Sequence, residues 1–517
     1  MRNDRLAEMM TGIRGIFLIG ALLSQVLGSA DSRANVLFIA IDDLNDWVGC
    51  LGGHSQVRTP NIDALAAQGI LFSNAHCAAP ACNPSRAAVF SGRGAWQTGV
   101  WSNDSPKLTA ERVAFPLLPE YFARAGYTTF GCGKLLHGGE KSHAQLFDES
   151  FFPEQRWSPL SAAEVAYTKD ELPSKGTWQP RHRVTLDSGV EISLPLNRMP
   201  SDRAPELTKA ESFDWGGFDV ADEEMGDHKI VDWTMERLSR PHSNPWWMGV
   251  GFYRPHIPLW VPQRFLDLYP ADSVVLPRTL ASDLDDLSSQ ARRWATEAIT
   301  AGDHATVVKA GQWREAVAAY LASVTFVDFE LGRLIKALNR SRYRENTWLV
   351  LWSDHGWHLG EKEHWGKWTG WERSTKVPML MVPPRGAAGY RRGQVVEEPV
   401  SLLDLLPTLL DVCEIEVQGQ KAHFDGLSLE PLLRGYSRAP RHSVVTTFDR
   451  GNFALRSRSA RYIRYADGAE ELYLHPEDRL EWFNRAGNPL FDELLRSMRA
   501  SAPVSLMNSK SLSPDGS

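Results

Sequence analysis

A chain of 517 residues, 43% hydrophobic and 23% charged, has a globular composition and is long enough for more than one domain. Its formal net charge of -7 provides no basic field, so nucleic acid is excluded as an expected partner, and an anionic ligand would need local cations to hold it. The five cysteines, Cys50, Cys77, Cys82, Cys132 and Cys413, exclude a dense disulfide framework; one bridge is allowed, and at least one thiol stays unpaired in the monomer.

At the N-terminus, Arg2, Arg5 and Arg14 precede an apolar run from Gly15 to Leu27 and the small residues Gly28-Ser29-Ala30. This is the pattern of a cleaved signal peptide over residues 1–30, with the mature chain starting near Asp31. The run is shorter than the ~20 apolar residues of a spanning helix. No later segment reads as transmembrane, so the expectation is a secreted or periplasmic protein with no membrane span after cleavage. An uncleaved anchor is the competing reading.

Over residues 31–434, apolar strand-like runs alternate with helical patterns. Strands are predicted over Asn35–Ile41, Tyr127–Gly131, Trp246–Phe252, Thr347–Trp352 and Pro378–Val382. Helices are predicted over Pro60–Gly69, Pro116–Ala125, His228–Leu238, Trp313–Asn339 and Asp404–Cys413. The alternation predicts an α/β fold with a large, mostly parallel sheet flanked by helices. Two polar stretches, Pro153–Ala210 and Ala271–Gly311, read as surface insertions that either shape a substrate cleft or merely decorate the surface. Beyond Arg434, Ser443–Thr447, Phe453–Arg456 and Tyr462–Tyr465 read as short strands, followed by ELYLHPEDRLEWFN and a last helix around Pro489–Met498. This predicts a small C-terminal subdomain with an antiparallel sheet over 435–500 and a disordered tail over 501–517.

Three motifs carry chemistry. Asp42 and Asp43 directly follow the first strand. Ligands gather at the carboxyl ends of strands in open α/β sheets, and adjacent carboxylates suit a hard cation, although loop acids capping a helix have the same sequence. Asp354 and His355 leave the strand TWLVLW in the same way, with Gly356 allowing a sharp turn. Two such exits supply three carboxylates and an imidazole to one ion, an oxygen-rich set that favours Ca²⁺ or Mg²⁺ over zinc. Third, Cys82 lies in CNPSR, just ahead of a helix expected to begin at Pro84 and Ser85. The helix N-terminus there welcomes an anion and depresses a thiol's pKa; a buried structural cysteine is the alternative.

Cys-x-Pro-Ser-Arg, with Gly92-Arg93 a few residues on, resembles the signature of type I sulfatases. In that family a separate formylglycine-generating enzyme oxidises the cysteine to formylglycine (3-oxoalanine). The resemblance runs from NVLFIAIDDL to ELYLHPEDRLEWFN. Through GCGKLLHGG, GFYRPHIPLWVPQRFLDLYP and SDHGWHLGEKEHWGKW it is most similar to the iduronate-2-sulfatase branch. It implies an alkaline-phosphatase-like sandwich. Asp42, Asp43, Asp354, His355 and the modified Cys82 would bind one divalent cation, Ca²⁺ ahead of Mg²⁺. By the same resemblance Arg86 steadies the formylglycine and Lys134 pairs with His137. His256 faces the sulfate, and Lys367 reaches the sulfate and the bridging oxygen. Read alone, Lys134 is a surface lysine, His137 a turn residue, His256 a packed loop residue, and Lys367 a cation–π partner of Trp365 or Trp368. Their occurrence together and in order overrides those readings.

The implied activity is removal of sulfate from a sulfated carbohydrate, a 2-O-sulfated uronic acid or similar glycan unit. The hydrated aldehyde, a geminal diol, attacks sulfur, and its second hydroxyl then expels sulfate. Two other functions compete. One is a phosphonate or phosphate monoester hydrolase of the same superfold. The other is a catalytically silent glycan-binding protein that stacks sugars on Trp47, Trp96, Trp101 and Trp260.

Overall fold

Asn35–Ile41 (β1) is buried at every position, as expected of a strand covered on both faces of a central sheet. In this computed structural model the described residues are 33–108, 115–138, 143–165, 182–199, 213–298, 302–417, 423–436, 443–503 and 506. The expected signal peptide lies outside the described residues, as do parts of the first insertion and nearly all of the expected tail.

β1 is joined in one sheet by Ile70–Phe72 (β2), Thr128–Gly133 (β3), Glu149–Phe151 (β4), Trp246–Phe252 (β5), Thr347–Ser353 (β6), Met379–Val382 (β7) and Gln394–Val396 (β8). The order is β8-β2-β7-β6-β1-β5-β3-β4. Only β7 runs antiparallel to its neighbours, β6 and β2; the other pairings are parallel. The mostly parallel sheet predicted from sequence is therefore present. The three-residue strands β2, β4 and β8 were not predicted, because such short runs carry no period.

Side-chain alternation along β1 divides the core in two. Leu37, Ile39 and Ile41 pack with Pro60–Gln68 (α1), Gly226–Ser239 (α4) and Trp313–Arg340 (α5). Val36, Phe38 and Ala40 pack with Cys82–Ser91 (α2), Leu118–Arg124 (α3) and Leu405–Val412 (α6). Among the described residues no helix is long and apolar enough to cross a membrane. All five cysteines are free, so the one bridge that the sequence allowed is not formed.

The insertions carry structure of their own. The first holds a hairpin of His182–Thr185 with Glu191–Leu194. The second holds helices Ser289–Thr296 and His304–Lys309. The C-terminal sheet has four antiparallel strands, Val444–Thr447 (β9), Phe453–Arg456 (β10), Ala460–Arg464 (β11) and Glu470–Leu474 (β12). β12 overlaps the start of ELYLHPEDRLEWFN and was not predicted as a strand. One face of this sheet packs Phe448, Ile463 and Tyr473 against Trp371 and Ala295; the other packs Leu455 and Tyr462 against Leu495 and Met498.

Candidate active site

Asp42 and Asp43 leave β1 where Asp354 and His355 leave β6. These strands are adjacent and parallel, with Ile41 opposite Ser353, so residues far apart in sequence emerge side by side. Two hydrogen bonds fix the exits to each other. The Asp43 N–H donates to Asp354 Oδ1 at 3.1 Å, and the Leu44 N–H donates to Ser353 Oγ at 3.1 Å. Asp43 adopts φ 59°, a left-handed conformation that costs a residue with a side chain roughly 1–2 kcal/mol. Tyr320 of α5 holds it there: its hydroxyl donates to the Asp43 carbonyl at 2.8 Å and accepts from the Asn45 N–H at 2.9 Å.

α2 begins at Cys82 itself, with extended Ala81 as its cap, and not at Pro84 as expected. Pro84 is accommodated because N–H groups in a first turn have no partner within the helix. Every residue of α2 is buried. Cys82 Sγ lies 2.9 Å from Lys367 Nζ, 3.4 Å from His355 Nε2 and 3.5 Å from Asp42 Oδ1. Lys367 Nζ is also 2.8 Å from Asp43 Oδ1. One turn along α2, Arg86 places Nε 2.9 Å from Asp354 Oδ2 and Nη2 3.2 Å from Asp42 Oδ1. Its Nη1 donates to the carbonyls of Lys134 and Leu135, just past β3. Lys134 Nζ lies 3.1 Å from Asp42 Oδ2 and 5.0 Å above the Tyr253 ring. His137 reaches Cys82 from the same loop, and His256 Nε2 lies 3.8 Å from Asp43 Oδ2. Every site residue expected from sequence is thus in one cluster.

The readings of single residues give way accordingly. Lys134 is an ion-paired side chain 16% exposed. Lys367 is buried, and the ring beneath its ammonium is Trp357, at 5.5 Å, not Trp365 or Trp368. The cluster tolerates burial because the guanidinium and the two ammoniums interleave with three carboxylates.

The protonation pattern follows from these contacts. Burial and the Asp42 carboxylate push the Cys82 thiol up, but Lys367, His355 and Lys134 outweigh them and bring it well below its usual value. Burial alone would raise Asp42; Lys134 and Arg86 hold it well below the usual carboxylate range. Lys367 is penalised by burial, yet Asp43 and its neighbours keep it firmly protonated.

The donor set fits a divalent cation. Asp42, Asp43, Cys82 and His355 each offer a ligand atom, all within 4.8 Å of one another. Asp43 Oδ2 is buried and accepts no hydrogen bond, and Asp42 Oδ2 is buried with the Lys134 ammonium as its neighbour. His355 Nδ1 sits 3.0 Å from the Gly356 carbonyl, which can only accept, so Nδ1 carries the hydrogen and Nε2 is left to face a cation. Asp354 stands beside these four atoms: Oδ2 accepts from Arg86, and Oδ1 accepts the Asp43 and His355 N–H groups.

Sequence reasoning missed Tyr320, Asn45, Ser353 and Tyr253. Tyr320 lies on the apolar face of a long helix and reads there as core. Tyr253, next to Arg254-Pro255-His256, was within reach of the motif. Of the tryptophans considered as sugar platforms, Trp47 and Trp260 are buried and Trp96 and Trp101 are half-buried. Trp47 meets Tyr320 edge-on at 5.5 Å, and Trp260 is buried against Phe218 and Trp157. Trp96 and Trp101 pack on the C-terminal sheet.

A family model described as Sulfatase matches residues 34–415. A sulfatase of Formosa agariphila is 33% identical over 479 residues, covering 91% of this chain and 86% of that protein. The iduronate 2-sulfatase of Mus musculus is 30% identical over 438 residues, covering 78% of this chain and 73% of that protein. Among solved structures, the phosphonate monoester hydrolase of Agrobacterium radiobacter superposes with a TM-score of 0.69 at 20% identity, covering 90% of this chain and 96% of that one. A 2-O GAG sulfatase superposes with a TM-score of 0.64 at 22% identity, covering 90% of each chain. At these identities the two structures share the fold, which is the alkaline-phosphatase-like sandwich expected from the sequence.

Proposed function

The chain belongs to the sulfatase family and is a sulfatase; from that premise we propose that it removes sulfate from a sulfated carbohydrate, a 2-O-sulfated uronic acid or similar glycan unit. In this reading Cys82 is oxidised to formylglycine by a formylglycine-generating enzyme. One divalent cation, calcium ahead of magnesium, is held by Asp42, Asp43, Asp354, His355 and the modified residue. The observation that carries the reading is the contact of Cys82 Sγ with Lys367 Nζ at 2.9 Å, inside a buried cluster of carboxylates and one imidazole at the strand exits.

When bound, the cation and the oxidised residue supply a Lewis acid and an oxygen nucleophile at one point. The rest is done by the chain's own side chains. Cys82 Sγ stands where that oxygen would be, so Lys367 is aimed at the nucleophile and at the sulfate it attacks. A fixed donor of this kind contributes ~10²–10³ in rate. Arg86, held by Asp42, Asp354 and two carbonyls, cannot swing away and keeps residue 82 oriented. Lys134, partly exposed, draws the anionic ester in. His256 Nδ1 lies 2.6 Å from the Ile257 carbonyl, which fixes its ring with Nε2 toward the cluster. His256 or Lys367 then protonates the leaving alcohol, worth ~10²–10⁴.

A phosphonate or phosphate monoester hydrolase is favoured by one observation, the fold shared with the Agrobacterium radiobacter enzyme. Phosphate esters carry more charge and often recruit a second metal. The other metal-like group among the described residues, Glu372, His475 and Glu481, is already neutralised by Arg456 and Arg461. Paired kinetics on aryl sulfate and aryl phosphate test the choice: faster sulfate release is expected, and a preference for phosphate overturns it. The glycan-binding alternative predicts an unmodified thiol in the Cys82 tryptic peptide; the sulfatase reading predicts the lighter aldehyde. Secretion or export to the periplasm follows from the N-terminal pattern and fits a substrate outside the cell.

A further inference from the structure

The loop that carries Lys367 is bent in a way its own sequence does not favour. Lys362, Glu363 and Trp368 have φ of 57°, 52° and 76°. Left-handed backbone is costly for residues with side chains and persists where the surroundings impose it. Part of those surroundings is the second insertion, residues 271–311, which meets the loop at three places. Asp283 pairs with the buried Lys362 ammonium. The Ala295 carbonyl, in the last turn of the helix Ser289–Thr296, lies 2.9 Å from His364 Nδ1. His304 Nδ1 accepts the Trp365 indole N–H at 2.9 Å.

His364 carries the contact on to Lys367. Its ring is 1% exposed, and its Nε2 lies 2.8 Å from the Lys367 carbonyl. The N–H of the same peptide, that of Trp368, donates to the Pro80 carbonyl at 3.0 Å, two residues ahead of Cys82. The Lys367–Trp368 peptide is thus gripped at its oxygen by His364 and at its nitrogen by the segment that leads into α2. Its orientation sets the direction in which the Lys367 side chain leaves the backbone, and Nζ has to end 2.9 Å from Cys82 Sγ. Carbonyls only accept, so the doubly protonated ring of His364 meets both of its carbonyls at once and the neutral ring meets one. We infer that the second insertion is a brace for Lys367, and that His364 is the positioning residue that transmits it through the hydrogen bond from Nε2 to the Lys367 carbonyl. The inference rests on the reading in which Lys367 faces the nucleophile and the sulfate. It gives the second insertion a part in the reaction without contact with the substrate.

A double-mutant cycle tests it. Sulfate release from a 2-O-sulfated uronic-acid disaccharide is measured for the wild type, His364→Asn, Lys367→Gln and the double variant. His364→Ala is carried through the same cycle, so that one variant that folds poorly does not decide the result. Either substitution of His364 is expected to lower kcat about tenfold to a hundredfold with KM little changed, the signature of a misplaced catalytic group. With Lys367→Gln already present, the same substitution is expected to change kcat by less than about twofold, because a residue that acts through the lysine has nothing left to position. His364→Gln is expected to recover most of the loss, since its amide nitrogen reaches about as far as Nε2, whereas that of asparagine reaches only about as far as Nδ1. Losses that add in the double variant, or a glutamine no better than asparagine, overturn the brace and leave the role of Lys367 standing. Wild-type kcat in Lys367→Gln alone overturns that role and the inference with it, a distinguishable result.

Discussion

The Tyr320 hydroxyl donates to the Asp43 carbonyl at 2.8 Å, across 277 residues of sequence, and pins the one member of the Asp42, Asp43, Cys82 and His355 group whose backbone is left-handed. Replacing Tyr320 with Phe keeps the ring in the core and removes the clamp. It strands the buried Asn45 N–H, at a cost of about 1–3 kcal/mol. Weaker calcium binding and a lower kcat at little changed KM are expected. Calorimetric titration of calcium checks this; wild-type affinity in Tyr320→Phe contradicts it.

Lys367→Gln leaves a polar side chain one atom shorter and removes the charge that faces residue 82. The expected loss in kcat is ~10²–10³. A variant that retains more than about a tenth of wild-type kcat would show that Lys367 is not among the groups stabilising the transition state.

If a divalent cation is held here, removing it leaves the buried Asp43 Oδ2 without a hydrogen-bond partner and three carboxylates crowded together. A chelator is therefore expected to silence the enzyme and lower its melting temperature. A cation at a thousandfold excess over its Kd stabilises the fold by about 4 kcal/mol. Asp43→Asn is expected to resist rescue by added calcium. Full activity in chelator contradicts the metal assignment.

The C-terminal sheet grips the loop that carries Lys367. Arg461 of β11 donates to the Gly370 carbonyl at 2.9 Å and to Glu481 Oε1 at 2.6 Å, and also pairs with Glu372. Trp371 Nε1 donates to Glu471 Oε2 at 2.8 Å. Arg461→Gln removes a buried guanidinium from an ion-pair network with Glu372 and Glu481, a change that costs about 3–5 kcal/mol. Hydrogen exchange is expected to rise first in the loop around Lys367. Unchanged protection there would mean that the loop is positioned without the sheet.

Legibility followed physical cause. β1, β5 and β6 were readable because strands buried on both faces are continuous apolar runs, and the acids that end β1 and β6 stand out against them. CNPSR marked Cys82 through its resemblance to the type I sulfatase signature; as a helix start alone it fits a buried structural cysteine equally well. Glu470–Leu474 was hidden because its edge pairing depends on β11 and not on its own pattern. Tyr320 was hidden because a hydroxyl inside a helix's apolar stripe has no local signature; only packing α5 against the Asp43 turn reveals its use. The start of α2 was missed by two residues because Pro84 reads as a first helical position, although any place in the first turn accommodates it.

Sulfate release by the wild type and by Cys82→Ala, measured side by side on a 2-O-sulfated uronic-acid disaccharide, tests the mechanism most directly. Alanine suits the first turn of α2, so the variant should fold and melt like the wild type. The account predicts turnover by the wild type and none by the variant. Substantial sulfate release by Cys82→Ala would contradict it, because no other side chain in the cluster replaces the nucleophile.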